Sequence, residues 1–139
     1  MIIYVDGNIG SGKSTILHEL QKRGYDVFLE PIDVWRKIQV ADKNLFQCFY
    51  DNPKRYTFIF QLYILLQFRK QLDKLNRFKI VFVERSFLAQ CFVFAKYHRD
   101  NGNLSDEEFC VYSEFFEYFV PSTHAKYIYL NCSPSTCFS

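Results

Sequence analysis

Short apolar runs and helical apolar stripes alternate along this chain. The run at 2–5, Ile2 to Val5, predicts a buried strand, and the segment 13–23, closed by Gly24, predicts a helix. A second strand is expected over 26–29, followed by a helical or irregular stretch through Trp35. Pro53 suits a first helical turn and opens a long helix reaching about residue 75, with Phe58, Gln61, Leu65, Phe68 and Leu72 on one face. Residues 79–83 predict a third strand and 87–99 a further helix. Ser105-Asp106-Glu107-Glu108 reads as a capping box for a helix whose stripe is Phe109, Tyr112, Phe116 and Phe119, and 126–131 predicts another strand. Strands separated by helices imply an α/β fold with a parallel sheet of about four strands, without repeats, low-complexity tracts or linkers.

Composition changes this picture little. A chain of 139 residues with 49% hydrophobic content fills one core, so a single domain over 1–139 is expected. The net charge of +2 names no partner. Lys54, Arg55, Arg69, Lys70, Lys74, Arg77 and Lys79 fall largely along one helical stretch, the pattern of a solvated face, and no nucleic-acid partner is expected. Cys48, Cys91, Cys110, Cys132 and Cys137 are scattered without C-x-x-C spacing, and the histidines lie far apart, which points to reduced, cytoplasm-like surroundings and no zinc site. No basic segment precedes the first apolar residues and no run approaches about 18 apolar residues, so neither secretion nor a membrane is indicated.

Candidate chemistry begins directly after the first strand. Gly7-Asn8-Ile9-Gly10-Ser11-Gly12-Lys13-Ser14 fits G-x-x-x-x-G-K-[ST], in which glycines let backbone N–H groups turn inward around phosphates at a helix start. Lys13 would meet the β and γ phosphates and Ser14 would hold Mg²⁺. In open parallel sheets ligands bind beyond the carboxyl ends of the strands, where the second strand gives Glu30-Pro31 and the third Glu84-Arg85-Ser86. One carboxylate to take an acceptor's proton, one to bind magnesium and an arginine to orient oxygens make a phosphoryl-transfer site. No N-K-x-D or D-x-x-G segment marks a GTPase and no L-S-G-G-Q-like segment marks a transporter ATPase, which leaves a small-molecule kinase.

At this point the sequence resembles the deoxynucleoside kinase family, which includes deoxycytidine and deoxyguanosine kinases, mitochondrial-type thymidine kinase and insect and large-virus relatives. The likeness rests on ordered blocks: the phosphate loop, Glu30-Pro31 with Trp35, Tyr50 through the segment Pro53-Lys54-Arg55-Tyr56-Thr57-Phe58-Ile59-Phe60-Gln61, and Glu84-Arg85-Ser86. It spans essentially the whole chain. The resemblance implies a P-loop fold, ATP as phosphoryl donor with Mg²⁺, and a deoxynucleoside accepting the γ-phosphoryl group on its 5′-hydroxyl in nucleotide salvage. ATP phosphates would lie on Gly7 through Ser14 and Thr15. Glu30 would be the general base, Arg85 would fix the hydroxyl and stabilise charge, Lys13 would serve the transferred group, and Glu84 would join Ser14 at the metal. Tyr50 resembles the tyrosine at the sugar 3′-hydroxyl and Gln61 the glutamine that reads the base. Trp35, Phe60 and Phe68 would line the base slot. Phe68 and Gln90 stand where relatives vary, and neither is the arginine or aspartate of deoxycytidine-type enzymes, which leans toward thymidine or a broad pyrimidine range. Gln61 independently needs a partner, because an unsatisfied buried amide costs about 1–3 kcal/mol; a base edge or a neighbouring backbone group would serve.

The resemblance fails at the carboxyl end. Relatives continue past 134–137 into a helix, an arginine-rich lid, an acidic pair and a further strand, which the sequence does not contain. Ser133-Pro134 signals a helix start, yet the chain stops at Ser139, so it looks cut short and the strand 126–131 is expected to leave an exposed edge. Little steady-state kinase turnover is expected of the chain as given. A thymidylate-type monophosphate kinase and an inactive nucleotide-binding remnant remain as alternatives. The stripe from Phe109 to Phe119 serves either a homodimer through helices or the core.

Overall fold

Element order in the computed structural model, which describes residues 1–75, 78–121 and 125–137, follows the alternation of the sequence. First come β1 (Ile2–Gly7), α1 (Lys13–Lys22), β2 (Asp26–Phe28) and α2 (Ile32–Trp35). Next are β3 (Gln39–Val40), β4 (Lys43–Asn44), α3 (Leu45–Asp51) and α4 (Pro53–Asp73). Then follow β5 (Val81–Glu84), α5 (Phe87–Ala89), a π-helical segment Gln90–Ala95, α6 (Lys96–Asp100), α7 (Asp106–Phe119), β6 (Lys126–Leu130) and α8 (Pro134–Cys137). Arg77 of the basic series and the terminal Ser139 lie outside the described residues. The chain packs as two compact units, one of Met1–Glu30, Lys74–Ser86 and Ser122–Ser139, the other of Pro31–Asp73 and Phe87–Pro121.

The first unit is a parallel four-stranded sheet in the order β2-β5-β1-β6. Of its two inner strands, β5 is buried at every residue, as expected of a parallel strand covered on both faces. Val5, Leu17 and Phe82 form the core, packed against Ile3, Leu20, Val27, Leu29 and Leu130. α1 stops where Gly24 adopts φ 92°, a left-handed conformation that costs glycine little. Because the strands are parallel and adjacent, the carboxyl ends of β2, β5 and β1 lie along one edge of the sheet. β6 closes the other side, with all its side chains exposed except the half-buried Leu130. The helix start expected at Ser133 takes the form of one turn, α8, with the Ser133 hydroxyl accepting from the Thr136 N–H at 3.3 Å.

The second unit is helical. α4 packs on α3 and α7 and buries Thr57, Phe60, Gln61, Ile64, Leu65 and Phe68. The expected face is therefore right at Gln61, Leu65 and Phe68, while Phe58 and Leu72 flank it half-buried. Covering from two helices widens the buried face beyond a single stripe. α7 begins at the expected capping box, Ser105 Oγ accepting from Glu108 N at 3.0 Å and Glu108 Oε1 from Ser105 N at 3.2 Å. Its stripe turns inward, with Tyr112 fully buried and Phe109, Phe116 and Phe119 half-buried, while Val111, Phe115 and Tyr118 stay exposed. The helix expected over 87–99 divides into α5, the π-helical segment and α6. The antiparallel β3–β4 pair and α3 were not expected from the sequence; α3 starts at a second capping box, Asn44 with Gln47. Among the described residues no helix is long and apolar enough to cross a membrane.

Candidate active site

The phosphate loop takes its shape from its glycines. Gly10 and Gly12 adopt φ 79° and 93°, and a Cβ on Gly10 would fall 2.2 Å from the Cys137 carbonyl oxygen. The loop tightens through Ser11 N donating to Asn8 O at 3.1 Å and delivers the chain into α1. Lys13 is buried, its Nζ donating to Gly7 O at 2.9 Å and Asn8 O at 2.8 Å. Burial, and secondarily the Arg85 guanidinium, pulls its ammonium below the ordinary lysine value, against the opposing pull of Glu30, Glu84 and Asp6. Ser11 Oγ is buried with no hydrogen-bond partner among the described residues. That orphan hydroxyl, with a ten-residue helix starting beside it, fits a phosphate group. Asn8, Ile9 and Thr15 are exposed.

Beside the loop, Glu84 ends β5 with its carboxylate divided between two donors. Oε1 accepts from Ser14 Oγ at 3.2 Å and Oε2 from the Glu30 backbone N–H at 2.9 Å. One buried carboxylate thus ties the phosphate loop to the end of β2. Arg85 N continues the sheet by donating to Val5 O at 2.9 Å, and the residue then turns left-handed, φ 70°. Its Nε donates to Glu30 Oε1 in an ion pair whose side chains are only 10% and 14% exposed. Such a pair is costly to break from one side, about 3–5 kcal/mol, because the survivor is left buried and unpaired. No group of three or more His, Cys, Asp and Glu gathers for a metal among the described residues. Ser14 with Glu84 nevertheless suits magnesium, which takes one or two carboxylates and fills its shell with phosphate and water.

Asp6 was not among the residues singled out from the sequence. Its Oδ1 accepts from Ser86 N at 2.8 Å and its Oδ2 from Ser86 Oγ at 2.7 Å. Left-handed backbone costs an ordinary residue about 1–2 kcal/mol, and hydrogen bonds to a charged carboxylate, about 1.5–3 kcal/mol each, offset that at Arg85. The available signal was its position, an acid at the end of β1 directly before the loop.

In the second unit the aromatic candidates are only partly gathered. Trp35 meets Phe60 edge-on at 5.7 Å, and Phe46 and Phe49 complete the cluster, Phe49 stacking on Phe60 at 4.8 Å. Tyr50 touches Phe46 at 4.9 Å and is 66% exposed. Phe46 and Phe49 were missed, although they share a helix face at a spacing that the Asn44 capping box announces. Phe68 stands apart, packed against Phe87 at 5.8 Å. Gln61 finds its partner in a side chain: its Oε1 accepts from Gln90 Nε2 at 3.0 Å, both residues being buried. Trp35 Nε1 is a buried donor with no partner among the described residues.

Comparison with known proteins gives this geometry a family. The sequence model described as Deoxynucleoside kinase matches residues 3–139. A probable deoxycytidine kinase of fowlpox virus is 32% identical over 98% of this chain and 58% of its own length. Deoxycytidine kinase 2 of Gallus gallus is 29% identical over 97% of the chain and 61% of its own, and human deoxycytidine kinase 28% identical over 97% and 62%. The chain thus spans about three-fifths of the length of these relatives. With the P-loop, the parallel sheet and a match along nearly its entire sequence, this chain belongs to the deoxynucleoside kinase family.

Proposed function

We propose that this chain supports transfer of the γ-phosphoryl group of ATP to the 5′-hydroxyl of a deoxynucleoside, in DNA precursor supply. The observation that carries the reading is Glu84, which joins Ser14 of the phosphate loop to the Glu30 backbone while Arg85 lies on the Glu30 carboxylate. A phosphate-holding hydroxyl and an acid–arginine pair are thereby linked through one residue, as an in-line transfer to an alcohol requires. Glu30 takes the 5′-hydroxyl proton as that oxygen attacks, and Arg85 moves between the Glu30 carboxylate and the substrate oxygens. Lys13 and the loop amides, from Gly7 through Ser14 and Thr15, hold the donor phosphates. Magnesium, held by Ser14 and Glu84, would neutralise charge on the phosphates.

The base-reading role is proposed for Gln61, whose orientation Gln90 fixes, with Trp35 and Phe60 as the aromatic contacts, Phe68 limiting the space and Tyr50 meeting the sugar 3′-hydroxyl. A pyrimidine, thymidine foremost, is the proposed preference, although the matched relatives named above are described as deoxycytidine kinases. Pairing of two copies through helices is proposed to use Val111, Phe115 and Tyr118, since the Phe109 to Phe119 stripe is turned inward. We assign the activity to the cytoplasm, in keeping with cysteines that are all free thiols.

Calorimetry with deoxynucleosides and their 5′-monophosphates, paired with mass-spectrometric detection of product under single-turnover conditions with ATP, tests the reading. A deoxynucleoside should bind more tightly than its monophosphate and be converted to it, and Glu30→Gln should slow conversion by about 10²–10⁴-fold. Tighter binding of a monophosphate would favour the thymidylate-type alternative, and binding of ATP without any nucleoside would favour an inactive remnant.

A further inference from the structure

The sheet ladder between β1 and β5 ends at an unusual handover. Val5 pairs with Glu84 in register, and Arg85 N makes the last ladder bond, to Val5 O. The next donor along the chain is Ser86 N. It goes to the Asp6 side chain, whose second oxygen accepts the Ser86 hydroxyl. Ser86 has no exposed surface, so both of its donors depend on partners inside the fold. The grip catches the chain immediately after the left-handed Arg85 and holds it there.

We infer that Asp6 is a positioning residue: by clasping Ser86 through both oxygens it holds Arg85 in the left-handed turn that lays the guanidinium on Glu30. For its functional meaning the inference rests on the kinase reading, since Arg85 and Glu30 are the groups proposed to meet the 5′-hydroxyl. Its geometry stands without that reading. Both Ser86 groups need a partner at this place; an amide could accept from the N–H and turn its N–H₂ toward the hydroxyl, which accepts as well as donates, so the clasp is removed by Asp6→Ala rather than by Asp6→Asn. Asp6 is thereby set apart from Glu84, whose oxygens go to Ser14 and Glu30.

The test uses ¹⁵N-labelled chain and the Arg85 Nε–H resonance, identified by its loss in Arg85→Lys. In the parent this proton is held by Glu30 and should exchange slowly with water. Asp6→Ala should move it to the solvent-exposed range and speed its exchange by about tenfold, the weight of one hydrogen bond to a charged group. Ser86→Ala keeps the backbone half of the clasp and should give a smaller change in the same direction, so it answers the question even where Asp6→Ala does not fold. Calorimetry then compares a deoxynucleoside with its 5′-deoxy analogue. The parent should prefer the hydroxyl-bearing ligand, and Asp6→Ala should shrink that preference by about tenfold while leaving affinity for the 5′-deoxy analogue unchanged, an outcome general loosening does not produce. An unmoved Arg85 resonance in folded Asp6→Ala or Ser86→Ala overturns the inference. A parent that binds none of the common deoxynucleosides overturns the kinase reading instead, and the resonance still decides whether Asp6 sets Arg85.

Discussion

Lys13 answers to two demands that pull in opposite directions. To meet phosphate it must be a cation in a closed loop, yet closing the loop strips its ammonium of water. The two carbonyl oxygens it touches, on Gly7 and Asn8, return only part of that loss, and the net result is an ammonium held less willingly than in water. The folded chain therefore binds this proton more weakly than the unfolded chain does. Below the folded value the burial penalty acts in full, and it fades as pH rises toward the ordinary 10.5. Lys13→Met keeps the stem and drops the charge, so it should raise the Tm of the ligand-free chain at neutral pH, and its lead over the parent should narrow as pH climbs through that window. The same variant should lose the stabilisation by ATP, about 2.7 kcal/mol for a parent at a hundred times its Kd. Scanning fluorimetry across pH, with and without ATP, reads both effects. A Tm below the parent's at neutral pH would mean that the two carbonyl bonds outweigh the burial.

Helix ends show which elements the sequence announces and which it conceals. At Ser105 the hydroxyl and the Glu108 carboxylate satisfy two N–H groups that would otherwise face water or nothing. Ser105→Ala should cost about 1 kcal/mol, lowering the Tm by about 3–6 °C, while Ser105→Asn should retain most of it; thermal melts followed at 222 nm distinguish the two. This box was legible because serine and glutamate stand at its ends and a long apolar stripe follows. Asn44 and Gln47 form the same box, but Asn44 also ends a strand of two residues, and β3 and β4 are too short to carry any period. The π-helical stretch was hidden for another reason. Nothing in Gln90–Ala95 distinguishes its hydrogen bonding from that of an α-helix, and the wider turn is seen only in the packed structure, where Gln90, Cys91 and Ala95 are buried and Phe92 and Val93 exposed.

For the chain as a whole, parallel strands did most to make the candidate site readable, since they send every strand's carboxyl end to one edge. Glu30, Glu84 and Arg85 could be found by inspecting those ends alone. Asp6 and Ser86 could not be paired this way, because they lie 80 residues apart and meet only once β5 is known to lie beside β1. The same sheet order leaves β6 at the border, hydrogen-bonded to β1 alone among the described strands. Tyr127, Ile128 and Tyr129 are 50%, 41% and 64% exposed there, and a net charge of +2 gives copies of the chain little reason to stay apart. A further association through this border, separate from the pairing proposed for α7, should therefore grow with concentration. A lysine on an open strand edge opposes further pairing, so Tyr129→Lys should shift sedimentation profiles toward the monomer while changing stability by no more than about 0.5 kcal/mol. Tyr118→Lys on the exposed face of α7 provides the contrast, Tyr118 being 84% exposed. If Tyr118→Lys disperses the chain and Tyr129→Lys does not, the copies meet through helices, and the open strand has no part in holding them together.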